Sequence, residues 1–116
     1  MRRLESSLER AFGEQIGRWA SSVGVDLQYI KMTPAGVRGW PDRVILWNGS
    51  GILFIEWKRS GEKLRPLQAH IHDNLRRMGF DVRTFDTLDA ALVEVKELIC
   101  NRLCPCGQRA IINCAP

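Results

Sequence analysis

Gly39-Trp40-Pro41-Asp42-Arg43-Val44-Ile45-Leu46-Trp47-Asn48-Gly49-Ser50-Gly51-Ile52-Leu53-Phe54-Ile55-Glu56-Trp57-Lys58 is the stretch that decides how this chain folds. It reads as two strands joined by a Gly-rich turn. Val44 to Trp47 and Ile52 to Ile55 are near-continuous apolar runs, the mark of strands covered on both faces. Three charges interrupt them: Asp42, Glu56 and Lys58. Charge placed in such strands is costly unless it is paired or bound to a metal ion, so a site is expected here.

Side chains alternate along a strand, which puts Glu56 and Lys58 on one face and Trp57 on the other. Asp42 joins them only in an even register, such as Asp42 opposite Glu56. A two-residue turn centred on Gly49-Ser50 would instead set Asp42 against Trp57. The convergence of the three charges therefore predicts a three-residue loop, Asn48-Gly49-Ser50, or an added bulge, and Gly51 suits either.

Outward from the hairpin, Leu4, Leu8, Phe12, Ile16, Trp19 and Ala20 recur at helical spacing and predict a helix to about Ser22, ended by Gly24. Gly13 and Gly17 weaken it and leave room for a closely packed partner. Glu5 and Glu9 share a face near its start, where carboxylates are favourable even as plain solvated groups. Asp26 to Met32 reads as a strand with Leu27 and Tyr29 on one side. A Gly/Pro-rich loop then leads into Asp42.

Pro66 opens a second helix, stopped by Gly79, with Leu67, Ile71, Leu75 and Met78 as its buried stripe. His70 and His72 fall off that stripe and are expected at the surface. Gln68 lies in the first turn, where it can cap the helix or point back towards Glu56 and Lys58. Phe80 to Phe85 alternates as a fourth strand. Asp86 or Thr87 caps a third helix, with Leu88, Ala91, Leu92, Val95, Leu98 and Ile99 turned inward. The order is α-β-β-β-α-β-α: an α/β domain with a mixed four-stranded sheet flanked by helices.

At 116 residues the chain suits one domain, with 45% hydrophobic and 26% charged residues. No apolar run approaches the roughly 18–20 residues needed to cross a bilayer. The opening Met1-Arg2-Arg3-Leu4-Glu5 has no apolar leader, so an intracellular protein without membrane contact is expected. A net charge of +4 permits an anionic partner such as nucleic acid. All four cysteines, Cys100, Cys104, Cys106 and Cys114, fall at the end of the chain. That placement is no disulfide framework for the main domain. It fits either a structural zinc site, though Cys104-Pro105-Cys106-Gly107 is one residue short of the usual knuckle, or reduced thiols in a tail.

Hard cations such as Mg²⁺ take oxygen ligands, commonly one or two carboxylates with waters and substrate phosphates. Asp42, Glu56 and the backbone carbonyl of Trp57 would supply such a partial shell, with Lys58 beside it to steady an attacking water or the charge of a phosphorane-like transition state. The alternative is a buried ion pair inside a sheet, although two acids sharing one lysine leave an excess negative charge that a cation would resolve.

Pro41-Asp42 followed by Glu56-Trp57-Lys58 resembles the Pro-Asp…(Asp/Glu)-x-Lys signature of the restriction-endonuclease-like PD-(D/E)xK nuclease superfamily. Gly39-Trp40-Pro41-Asp42-Arg43, Phe54-Ile55-Glu56-Trp57-Lys58, Leu64-Arg65-Pro66-Leu67-Gln68 and Met78-Gly79-Phe80-Asp81-Val82 are together similar to the VRR-NUC family, in its stand-alone, virus-type form. The similarity spans about Glu9 to Ile99. It implies a nuclease domain over residues 1–99 and a Cys-containing tail over 100–116. It also implies a Mg²⁺- or Mn²⁺-dependent DNA endonuclease acting on branched, junction-like DNA as a homodimer, in the host cytoplasm if virus-encoded.

By position, the resemblance makes Asp42, Glu56 and Lys58 catalytic, with Asp42, Glu56 and the Trp57 carbonyl on the metal. Gln68 matches the glutamine of the second helix. The helix acid falls on Glu9, directly or through water, with Glu5 one turn earlier as the other choice. Lys31, Arg38, Arg43, Arg59, Lys63 and Arg65 would line the approach and hold phosphates. Arg65 stands where the family often has a small capping residue, so the second helix is expected to start less well capped. A non-catalytic branched-DNA-binding module, or a nuclease subunit active only beside a partner, would carry the same residues.

Overall fold

A computed structural model of the chain describes residues 2–32 and 38–103, with the side chains of 2–6 and 103 outside that description. The elements are α1 (Arg2–Val23), β1 (Leu27–Lys31), β2 (Arg43–Trp47), β3 (Gly51–Trp57), α2 (Pro66–Arg77), β4 (Asp81–Phe85) and α3 (Leu88–Leu103). Their order is the one expected. The strands lie in the order β1-β2-β3-β4, with the first two pairings antiparallel and β3–β4 parallel.

Alternation sorts the sheet into two faces. Ile45, Trp47, Leu53, Ile55, Trp57 and Phe85 join Phe12, Ile16 and Ala20 of α1 and Ala91, Val95 and Ile99 of α3 in the larger core. Val44, Phe54 and Val82 turn the other way, onto Leu75 of α2. Leu8, Phe12, Ile16, Trp19 and Ala20 of α1 and the buried face of α3 are thus as the spacing predicted, while the side chains of Leu4 and Glu5 lie outside the described residues. Thr87 caps α3 by accepting the Ala90 N–H at 3.3 Å.

The hairpin register is the even one. Trp47 pairs with Gly51 and Arg43 with Ile55, so Asn48-Gly49-Ser50 is a three-residue loop. Gly49 and Ser50 both carry positive φ, 87° and 64°. Gly51 follows because the Trp47 indole lies directly over it: a Cβ there would fall 2.0 Å from the ring. Gly39 has a similar role on the other side. A Cβ on it would meet Leu67 Cγ at 3.0 Å, so its absence lets the loop leading into Asp42 sit against the start of α2.

The structure corrects α2. Leu67 and Met78 are exposed, at 47% and 63%, whereas His72 is fully buried. The helix packs on the sheet through Leu75 and Ile71, the middle of the expected stripe, with His72 buried as well, while Gly39 lies against Leu67 and Ile71 at its start. His70 is at the surface, near Asn74 Nδ2 at 3.3 Å. The helix α3 continues past residue 99, and Cys100 closes its inner face at 3% exposure. Cys100 is disulfide-bonded, so at this position the thiol is neither reduced nor available to zinc as expected; Cys104, Cys106 and Cys114 lie outside the described residues.

Candidate active site

The even register sets Asp42, just before β2, across from Glu56, and the alternation puts Glu56 and Lys58 on the α2 face. Glu56 and Lys58 are buried, at 3% and 6% exposure. Lys58 Nζ stands 3.9 Å from Glu56 Oε2, too far for a hydrogen bond. Gln68 joins them instead. Its Oε1 accepts Lys58 Nζ at 2.9 Å, and its Nε2 donates to Glu56 Oε2 at 3.2 Å.

The same Gln68 Oε1 accepts the backbone N–H of Arg65 at 2.9 Å, the reciprocal half of a capping box. Arg65 is thus a better start to α2 than its side chain suggests, because Gln68 supplies the cap. Both expectations for Gln68 hold at once. Helix start and charged pair are held by one amide.

Asp42 is fixed by an irregularity in the sheet. Met32 N–H bonds the Asp42 carbonyl at 2.7 Å, so the backbone of Asp42 faces β1. By ladder alternation Trp57 faces β2 opposite Pro41. Proline has no N–H to offer the Trp57 carbonyl. The Trp57 N–H turns to Asp42 Oδ2 at 3.3 Å. On the other side Lys58 N–H bonds the Phe85 carbonyl at 2.9 Å, which holds the end of β3 against β4. Carboxylates of Asp42 and Glu56 and the Trp57 carbonyl are hard oxygen donors grouped at one sheet end, the donor set that Mg²⁺ or Mn²⁺ prefers. Among the described residues no three His, Cys, Asp or Glu side chains are close enough to share one ion. A cation at Asp42 and Glu56 would complete its shell with backbone, water and substrate oxygens.

Glu9 is not brought into this set. It lies on α1, against the opposite face of the sheet, where its Oε1 accepts Arg43 Nε at 2.7 Å. Arg43, expected to contact DNA directly, is held by Glu9 and stacked 4.7 Å over the Tyr29 ring. Tyr29 itself was not singled out by its sequence position. Its Oη accepts the Trp57 Nε1–H at 2.9 Å, and burial pushes its hydroxyl pKa well above the usual phenol range. The Phe12 ring meets both Tyr29 and Trp57 edge-on, at 5.3 and 5.5 Å. The signal for Tyr29 was Gly13: a Cβ at that position would lie 2.8 Å from the tyrosine ring.

Of the other expected cations, Arg38, Lys63 and Arg65 are exposed, and Arg59 is half-buried in the loop after β3. Among the described residues no helix is long and apolar enough to cross a membrane.

No protein-family model matches the chain. A phage protein from Acyrthosiphon pisum secondary endosymbiont phage 1, named "Putative nuclease p44", is 35% identical over 63 residues, which are 54% of this chain and 68% of the phage protein. A solved structure described as a VRR_NUC domain has the same fold, with a TM-score of 0.62 at 24% identity over 83% of this chain and 94% of that one. With a phage relative 35% identical and matched over two thirds of its length, and with the fold of a VRR_NUC domain, the chain belongs to the VRR-NUC family.

Proposed function

We infer that this chain is a divalent-cation-dependent endonuclease that hydrolyses phosphodiester bonds in DNA. The observation that carries the reading is the convergence of Asp42, Glu56, Lys58 and Gln68 at one sheet end, beside a Trp57 carbonyl that Pro41 cannot cap. The phage relative's name and the family fold support it.

Asp42, Glu56 and the Trp57 carbonyl would hold Mg²⁺ or Mn²⁺. The bound cation would supply Lewis acidity at the phosphate and a more acidic water. Lys58 is the charged group of the protein at the reaction. Its ammonium, steadied by Gln68, orients the water that attacks phosphorus and offsets the negative charge gathered on the phosphoryl oxygens as the bond to the leaving alcohol breaks. Gln68 is a positioning residue: it fixes Lys58 and Glu56 relative to each other and ties both to α2. Asp42, anchored on the Trp57 N–H, keeps one carboxylate oxygen directed by the backbone. Glu9 acts through Arg43, which follows Asp42 in the chain.

The preferred substrate in this reading is branched DNA. One chain carries one such site, so cutting both strands of a junction would take a symmetric pair of copies. The test is cleavage of labelled four-way junction, flap, single-stranded and duplex DNA with Mg²⁺ or Mn²⁺ against EDTA. Cutting is expected with the metal and absent with EDTA, and lost in Asp42→Ala and Lys58→Ala. Unchanged cutting by Asp42→Ala would sink the site. Equal cutting of duplex and junction removes the branched preference, and light scattering decides the pair. Junction binding without cutting would make the chain a non-catalytic module, and cutting that appears only with an added partner would make it a subunit.

A further inference from the structure

On the α1/α3 face, at the same sheet end as the acids, a groove of about 550 Å³ opens between α1 and the strands β1 and β2. Its size falls within the ~300–1,000 Å³ common for small-ligand sites and is far below what a duplex would need. Tyr29 lies in the groove beside Gly13, whose missing side chain admits the ring. Arg43, locked by Glu9, covers one face of that ring. This part of the wall is therefore set before any ligand arrives. Arg10 on α1 and Lys31 on β1 stand on opposite walls. Both are exposed, and neither has an ion pair or side-chain hydrogen bond among the described residues. Glu14, one turn after Arg10, is the opposing charge.

The groove is joined to the acid set at two points. Arg43 follows Asp42, and Trp57, which follows Glu56, donates its indole N–H to Tyr29. Two cations without a bonded partner, on either side of an aromatic wall and set against the acid Glu14, suit a phosphate with a flat ring attached, and nucleobases stack on such side chains irrespective of sequence. We propose that this groove is a subsite for a short unpaired stretch of the DNA strand flanking the bond that is cut. The substrate class is then DNA with a single-stranded flank. The phosphate lies between Arg10 and Lys31, with sugar or base against Tyr29. This rests on the nuclease reading and narrows it: a fully paired flank is too wide to enter.

The test separates binding from cutting. Asp42→Ala protein in EDTA is titrated by fluorescence anisotropy with a labelled short oligothymidylate and with a blunt duplex of equal length, at several salt concentrations. The oligothymidylate is expected to bind more tightly. Arg10→Gln and Lys31→Gln, each made in that background, should lower the slope of log affinity against log salt by roughly 0.7 apiece and the double variant by about 1.4. Glu14→Gln should tighten binding. An unchanged slope in the double variant, or a preference for blunt duplex, overturns the subsite. Cleavage assays with Asp42 intact report on the nuclease reading alone: no cutting alongside normal oligothymidylate binding would fail that reading and leave the groove as a single-strand-binding site.

Discussion

The two faces of one hairpin are built on opposite terms. On the α1/α3 side, Ile45, Trp47, Leu53, Ile55 and Trp57 are all buried and uncharged, and Arg43 at the edge of that face is neutralised by Glu9. On the α2 side, the same two strands carry Val44 and Phe54 and then give way to Asp42, Glu56 and Lys58. Neighbouring residues of a strand thus answer to different demands: Trp57 packs the larger core, while Glu56 and Lys58 beside it hold charge out of water. The difference teaches where stability and chemistry can be separated, and mutations on each face should break different properties.

The largest effects come from crossing these terms. Lys58→Met leaves the Glu56 carboxylate buried beside a neutral neighbour, and should lower stability by about 3–5 kcal/mol in EDTA. Adding Glu56→Gln removes the buried charge and should restore most of that loss in urea melts. Cutting should stay down by roughly 100-fold or more in both proteins. Recovery of cutting together with stability would show that the α2 face is a structural ion pair. Trp57→Ala, on the other face, removes a fully buried ring touching Phe12, Phe85 and Tyr29, and should lower stability by about 3–5 kcal/mol that no second charge change restores.

A smaller effect sharpens the comparison at α2. The His72 ring is buried with no hydrogen-bond partner for either nitrogen among the described residues. Burial holds its pKa below the ordinary value of 6.5, with the positive charges of Arg76 and Lys58 adding to it and Asp73 and Asp42 opposing it. The unfolded chain then takes up the proton first as pH falls. This group's contribution to stability is whole above the unfolded value and is lost as pH drops from there towards the lower folded value. The slope in that window is at most about 1.4 kcal/mol per pH unit. His72→Leu should flatten the stability profile of urea melts just below pH 6.5. An unchanged slope would mean that the ring does not stay neutral in the folded chain.

How much of this could be read from the residues follows from what each position answers to. The register was legible because the demand that three charges meet on one face, together with Asn48-Gly49-Ser50-Gly51, leaves few loops. Gln68 was legible because a helix first turn placed after Lys58 must come back towards it. His72 was not legible, because the covered face of α2 extends beyond the Ile71 and Leu75 stripe that its apolar spacing marks. Arg43 and Glu9 are thirty-four positions apart, and nothing local shows that one holds the other. Strand alternation gave the side that Tyr29 faces but not its bond to the Trp57 indole, which depends on how α1 settles through Gly13.

The smallest expected effect tests the hinge between the two faces, at Pro41. Regular pairing would have residue 41 give its N–H to the Trp57 carbonyl and accept the Trp57 N–H in return. Pro41 can do only the second, and the Trp57 N–H goes to Asp42 Oδ2 instead. Both departures favour an oxygen-lined cation site: one carbonyl is left without its ladder donor, and one carboxylate is oriented by the backbone. Pro41→Ala restores the missing donor. The new N–H would compete with a cation for that carbonyl, and the worth of one ordinary hydrogen bond, about 1 kcal/mol, corresponds to roughly fivefold in apparent Mg²⁺ affinity. Cleavage at limiting Mg²⁺ should therefore fall by about that factor and recover when Mg²⁺ is raised, with Lys58 and Gln68 untouched. A drop that excess Mg²⁺ does not rescue would place the role of Pro41 in shaping the strand entry alone, and the Trp57 carbonyl would leave the ligand set.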